Sequence, residues 1–501
     1  MYMRAVGRKA RRHGRSNSES GLWRPYSSAR KVAAILTATL LVAACAGAVA
    51  TPTPSSTLEP TAAALPSGSP DLTASPDESP TGSAMPVDFA VLLGNAKPVD
   101  PATDWGLSAG TEISDFGLDL LRQFDSKGNL CVSPTSIALA LAMTRPGARG
   151  ATVLEMDKVL HSFGGDAQAG EIVALLQQLS YTTNYDDSEF YSDDPHATPD
   201  HSAGPTVELD ISNQVFAQEG MTIKPAFLDA LSSTFGAGVG QLDFLADPEA
   251  ARQTINRWAS LRTKGRIPEI LQPRDVDHTT RIALANAIYL KAGWVIPFDP
   301  EKTASRQFTR PDGSRVSVPT MALQARLDYG AGKGYHAVEL PFSEDTMSMT
   351  IVEPDDMAAF VKNLTAAKLD SLVVPNSSYS VDLTLPRFSA NTRVELSETL
   401  KAMGMRTAFD QQAADFSGIT EDERLYIGSV VHQANIDVVE EGTTASAVTV
   451  ALGKGVMGDP GPITPPPHVV FHVNKPFLYF IKDNTGAILF MGRIDDPSTF
   501  S

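Results

Sequence analysis

The chain has 501 residues, 42% of them hydrophobic and 20% charged, with a formal net charge of −17. That composition is globular in bulk and excludes a collagen-like, coiled-coil or wholly disordered chain, and the length exceeds one ordinary small domain. Residues 1–45 carry nine Lys/Arg and one acid, so the remainder stands at −25, which repels phosphate backbones and argues against nucleic acid as a partner.

Residues 1–31 are basic, and 13 uncharged, mostly apolar residues follow from Val32 to Ala44. The run is too short for a comfortable membrane span and has the form of a signal-peptide core. It ends in Val42-Ala43-Ala44-Cys45. Small residues before a cysteine resemble the bacterial lipobox, which implies lipidation at Cys45, secretion across the cytoplasmic membrane and a lipid-anchored protein at the cell surface. A cleaved secretory signal with a chance cysteine, giving a soluble secreted protein, is the alternative. From 46 to 104 the chain is Pro, Ser, Thr and Ala with scattered acids. Such a segment cannot bury a core and reads as a disordered tether.

Folded patterning runs over 105–497. TEISDFGLDLLRQF, Thr111–Phe124, opens on a candidate Thr cap and spaces its apolar residues as a helix does. SPTSIALALAMTRPGARG is apolar nearly all round, which predicts a deeply buried helix, and ATVLEMDKVL predicts a third. VELDISNQVFAQ, RIALANAIYLKAGW, TMSMTIVEP, YSVDLTLPRF, FHVNKPFLYFIKD and GAILFMGRI alternate as strands do. Helices dominate early and strands late, the pattern of an α+β fold. Thr183–Gly204 is an acidic insertion without apolar periodicity, read as a flexible surface loop. Two cysteines, Cys45 and Cys131, make no disulfide framework, and Cys131 between Leu130 and Val132 reads as a buried, inert thiol. His468 and His472 lie four apart in a strand-like run, roughly 13 Å along a strand and too far for one metal ion. Neither a metal nor a cofactor is expected.

Seven segments in order resemble the serpins. They are NLCVSPTSIALALAM; INRWASLRTKGRIPEIL, with Asn256, Trp258, Thr263 and Gly265; NAIYLKAGWVIPFDPEKTASRQF, with Asn286, Ala287, Tyr289, Lys291, Trp294, Phe298 and Thr303; LPRFS; DFSGIT; VVHQANIDVVEEGTTASA; and FHVNKPFLYFIKDNTGAILFMGRIDDP. The resemblance implies three β-sheets, about nine helices and an exposed reactive-centre loop near 440–467. It also implies a monomeric protease inhibitor rather than an enzyme. A target serine protease, or a cysteine protease, attacks the loop and forms a covalent acyl-enzyme. The hinge of the loop then inserts into the main sheet and distorts the enzyme before deacylation.

The residues of EEGTTASAVTVALGKGVMGDPGPITPPP, Glu440–Pro467, meet that demand on their own terms. After Glu440 and Glu441, Gly442 gives the chain freedom at a pivot. Thr443, Ala445 and Ala447 fall on one face at period two and are small, as an inward face requires; Thr444 and Ser446 fall on the other. No proline removes a ladder donor and no charge has to be buried. Before cleavage, Thr443 is expected near the surface. Inserting about ten residues adds about ten ladder hydrogen bonds at roughly 1 kcal/mol each, so the starting form must be held kinetically.

By resemblance, Ser133, Ser136, Asn286 and His432 form the polar cluster under the opening strands, and Trp294 stands where the hinge enters. Family spacing places the reactive bond at Val456-Met457. The long proline-bearing stretch beyond it leaves Lys454 and Leu452 as alternatives. The QAGEIVALLQQLSY segment carries no Lys or Arg, which argues against heparin. A non-inhibitory serpin, acting as a binding or chaperone module, is the rival reading; such members tend to carry Pro or charge in the hinge. Gly106–Gly110 matches G-x-S-x-G, but polar, proline-containing sequence precedes it where a nucleophile elbow needs a buried strand.

Overall fold

Ile113, Phe116, Leu120 and Leu121 recur at helical spacing, and α1 (Leu107–Gln123) buries all four. The structure, a computed structural model, describes residues 89–104, 106–124, 128–184, 207–342, 346–374, 379–443 and 466–499. The helix starts one turn before the expected Thr111 cap. Asp104 does the capping, its carboxylate accepting the N–H of Gly106 and of Ser108. Thr111 lies inside the helix and donates its hydroxyl to the Leu107 carbonyl.

A short strand, β2 (Leu130–Val132), leads into α2 (Pro134–Thr144), whose every residue is buried. The Ser133 hydroxyl caps it by accepting the Ser136 N–H, and Pro134 takes the first position, where no N–H is needed. This helix packs on α1 and on the inner face of the main sheet, against β3 (Val207–Gln218) and β5 (Ile282–Gly293). The outer face is covered by α6 (Pro248–Arg262), whose Ile255, Trp258 and Ala259 join Phe216, Ala285 and Ala287 in a second core cluster.

The main sheet has seven strands. β1 (Val91–Leu92), β4 (Val239–Leu242), β3 and β5 form one half, and β12 (Val431–Val439) and β11 (Phe388–Glu395) the other. β3 and β5 pair antiparallel along their length, from Val207↔Ala292 to Ala217↔Ile282. β5 and β12 run parallel and meet at Gln433↔Ala287. Above that point a two-residue strand, β13 (Gly442–Thr443), lies between them.

The other strands form a nine-strand network. Its backbone is the long β7 (Arg315–Gly332), which pairs at one end with β6 (Ala304–Thr309) and β10 (Tyr379–Pro386), and at the other with β8 (Tyr335–Pro341). β14 (His468–His472) is the edge strand beside β10, while β9 (Met347–Pro354), β15 (Phe477–Asp483) and β16 (Ile488–Ile494) carry the network on to β2. Because β7 belongs to both ends, the second and third of the three expected sheets are continuous. Nine α-helices occur among the described residues.

The tether expected through 104 ends earlier. From Phe89 onward the chain is packed: Val91 and Leu92 pair with Gly240 and Val239, and the Phe89 ring lies 5.0 Å from that of Phe216. Further along, the N–H groups of Gly94, Asn95 and Ala96 reach Ser232 and Asp229 on α5 (Pro225–Phe235). The cause is Phe89-Ala90-Val91-Leu92-Leu93, an apolar, β-prone run at the end of a polar one, set beside the otherwise open edge of β4.

Candidate functional site

The gap between β5 and β12 is held at two levels. At the top, the chain leaving β12 turns back over Glu440 and Glu441 and enters the gap at Gly442. Gly442 pairs with Gly293 on one side and Val439 on the other, and Thr443 with Ala292 and Val438. Gly442 has φ +147°, and a Cβ there would stand 2.0 Å from the Ala292 carbonyl oxygen, so only glycine fits. Thr443 is 1% exposed. Its hydroxyl accepts the Ala292 N–H at 3.1 Å and leans toward the Ala292 carbonyl at 3.4 Å. The expectation that Thr443 sits near the surface is therefore wrong. The first inward residue is already inside, because β5 and β12 part widely enough at their upper ends to accept two residues.

The turn is tied down by its neighbours. Trp294 donates its backbone N–H to Glu441 O at 3.0 Å and its indole N–H to Val439 O at 3.1 Å, and stacks on Phe342 at 4.5 Å. Phe298 N–H donates to Glu440 O. The Glu440 side chain is 2% exposed. Its Oε1 accepts two hydrogen bonds from Arg387, at 2.9 and 2.7 Å, and one from the Thr303 hydroxyl. Burial pushes this carboxyl up, but the hydrogen bonds from Arg387 and Thr303 outweigh it and hold the group below its ordinary range.

Lower down, the structure brings Ser133, Ser136, Asn286 and His432 together under the sheet. Ser133 N–H donates to His432 Nε2 at 3.1 Å, so that nitrogen is an acceptor and the ring proton is on Nδ1, 2.9 Å from Asn286 Oδ1. The amide of Asn286 then donates to the Ser136 carbonyl and to Asn213 Oδ1. Complete burial drives the imidazole down to about 3, so it is neutral at any ordinary pH. The cluster spans α2, β3, β5 and β12, the elements that must part if a strand is to pass between β5 and β12.

A sequence model of the family described as "Serpin (serine protease inhibitor)" matches residues 111–497. The chain belongs to the serpin family. Among curated relatives, it is 34% identical to Iripin-8 of Ixodes ricinus over 419 residues, covering 81% of this chain and 98% of that protein. It is 32% identical to the leukocyte elastase inhibitor of Bos taurus, with 76% and 97% covered. Among solved structures, native-state Tengpin, a thermophilic serpin, superposes with a TM-score of 0.66 at 24% identity, covering 81% of this chain and 99% of that one. Serpins as a family are protease inhibitors, not hydrolases, and protease inhibition in general is what membership supports.

Within this serpin fold, sequence reasoning missed three residues of the site. Arg387 lies in LPRFS and Thr303 in NAIYLKAGWVIPFDPEKTASRQF, and neither stretch carries a sign that both residues face Glu440. Asn213 is an unremarkable polar residue in a strand until β3 pairs it with Asn286. Ser108 of the G-x-S-x-G match opens α1 and donates to Asp104. Cys131 is fully buried, and burial pushes its thiol up to about 12, which leaves it inert. His468 and His472 lie in β14, as strand alternation predicted. Thr444, Ala445, Ser446, Ala447, Leu452, Lys454, Val456, Met457 and Cys45 lie outside the described residues.

Proposed function

We propose that this serpin is a suicide-substrate inhibitor of serine endopeptidases. The protease cleaves after Val456, or after Lys454 or Leu452 in a shifted register, and is trapped as an acyl-enzyme when the cleaved loop fills the gap between β5 and β12. The observation that carries this reading is Gly442–Thr443, which already stand as the first two residues of the incoming strand, paired on both sides. The small, uncharged residues that follow continue that strand without a proline or a buried charge. The protein is read as a monomer with no need of heparin. It is carried to the cell surface and held there through Cys45, and Cys45→Ser should release it from the membrane fraction.

The test is incubation with elastase-, trypsin- and chymotrypsin-like enzymes. A covalent complex that survives SDS is expected with at least one of them. Cleavage by all three with no complex would overturn the trapping mechanism and leave a non-inhibitory binding module.

A further inference from the structure

Across β6, β7, β10 and β14, one sheet face carries a trough whose chemistry the trapping mechanism does not use. It encloses about 300 Å³, at the small end of the range for ligand sites. The register sets its banks. Arg306 on β6 stands opposite Val318, Thr320 on β7 opposite Pro386, and Thr384 on β10 opposite His472 of the edge strand. Phe308 and Val318 are 0% and 1% exposed and give it an apolar floor.

The polar groups around that floor all suit an anion. Arg306 is exposed and has no hydrogen-bond or ion-pair partner among the described residues. His472 spends Nδ1 on the Thr384 hydroxyl at 2.9 Å, which leaves Nε2 without a protein partner among the described residues. Asn474 lines the cavity as well, while Gln307, between Arg306 and Phe308 on an alternating strand, turns its side chain to the opposite sheet face. Among the described residues no carboxylate lines the cavity, although the chain as a whole carries −17. A cation and an imidazole gathered over an apolar floor match a carboxylate head on an apolar body.

We infer that this trough is a binding site for a small organic anion, an aromatic or aliphatic carboxylate. The head group lies between Arg306 and His472, and the body lies on Phe308 and Val318. The site backs onto the upper clamp of the gap. Thr303 immediately precedes β6, and Arg387 immediately follows β10. An occupant spanning these strands braces the two residues that hold Glu440.

The experiment is a titration of the intact protein with benzoate, followed by protein NMR, with inorganic phosphate and benzyl alcohol as parallel probes. Saturable benzoate binding is expected, with phosphate and benzyl alcohol each at least tenfold weaker. In Arg306→Gln, an exposed change that leaves folding alone, benzoate should weaken by at least tenfold. Absence of saturable benzoate binding to the native protein would overturn the site. Unchanged affinity in Arg306→Gln would overturn the assigned head-group contact. Phosphate binding as tight as benzoate would overturn the organic ligand, and benzyl alcohol binding as tight would overturn the anion.

Discussion

The two fastenings of the gap are built from opposite chemistry. The upper one is ionic: a buried Glu440 carboxylate held by Arg387, whose side chain is 32% exposed. The lower one, Ser133–His432–Asn286–Asn213, is neutral, and its imidazole is sealed from water. A charge that reaches solvent is screened by salt and can be released by a modest movement. In the lower cluster the Ser133 N–H, the His432 ring N–H and the Asn286 amide are committed to buried acceptors, whereas the Ser136 hydroxyl finds no partner among the described residues; removing one committed member leaves its buried partners unmatched. The upper fastening thus suits a place where the chain must enter, and the lower one a place where strands must stay together until the gap fills.

The comparison can be broken most forcefully by filling the gap. Nicking the loop within Lys454–Asp459 should raise the melting temperature by tens of degrees. About ten ladder bonds at roughly 1 kcal/mol each are available, less the two residues already paired, and a domain of this size shifts a few degrees per kcal/mol. Calorimetry of nicked and intact protein checks it, and no rise would mean that the loop does not insert.

Next in size is the lower fastening. Asn286→Ala takes from the His432 ring N–H and from Asn213 Oδ1 the partner each has in the cluster, and leaves the Ser136 carbonyl with only its bond inside α2, at about 3 kcal/mol in total. The intact protein should melt several degrees lower, equally at low and high salt. Arg387→Gln removes two charge-assisted bonds at the upper fastening and should cost about 2 kcal/mol at low salt, and less as salt rises. Thermal melts across ionic strength separate the two, and identical salt dependence would contradict the contrast drawn above.

The smallest effect is in pH. His432 has its folded pKa depressed to about 3 from 6.5, so its contribution is fully present above about 6.5 and is lost progressively as pH falls from there toward 3. Glu440, also depressed, adds a loss that begins only below the ordinary glutamate range near 4.5. A His432→Gln variant, which cannot titrate, should start less stable at pH 7 but lose less than wild type between pH 6.5 and 5. Parallel curves would remove the imidazole from the account.

Most of the fold was legible because its signals are local or lie in ordered motifs. Alternation marked β3, β9 and β16 close to their observed bounds, and the all-apolar run marked α2. β7 was not read, since eleven of its residues lie in a partly exposed ribbon with β6 and β8 where alternation is interrupted by Pro319 and two glycines. The four members of the lower cluster were legible only through resemblance. Nothing in the sequence around His432 says that its neighbours are Asn286 and Ser133, because those contacts depend on strand order. Thr443 was misplaced for the same reason. Its small, β-branched side chain shows that it can enter a sheet, while whether it has already entered depends on how far β5 and β12 part, which no local pattern encodes.

That position offers the most direct test of the central claim, that trapping works by extending the strand begun at Gly442–Thr443. Thr443→Arg places a long cation where 1% of the native side chain is exposed. Only two residues pair there, so the hinge should swing out of the gap at small cost and the protein should still fold. An unpaired charge at the mouth of a closing sheet costs several kcal/mol, so insertion after cleavage should slow and deacylation should win. Thr444→Arg, on the other face of the strand, should be milder. The measurement is the fraction of protease recovered as SDS-stable complex from each variant. The account predicts near-complete loss of complex with full loop cleavage for Thr443→Arg, and partial retention for Thr444→Arg. Trapping by both variants at the wild-type level would contradict it.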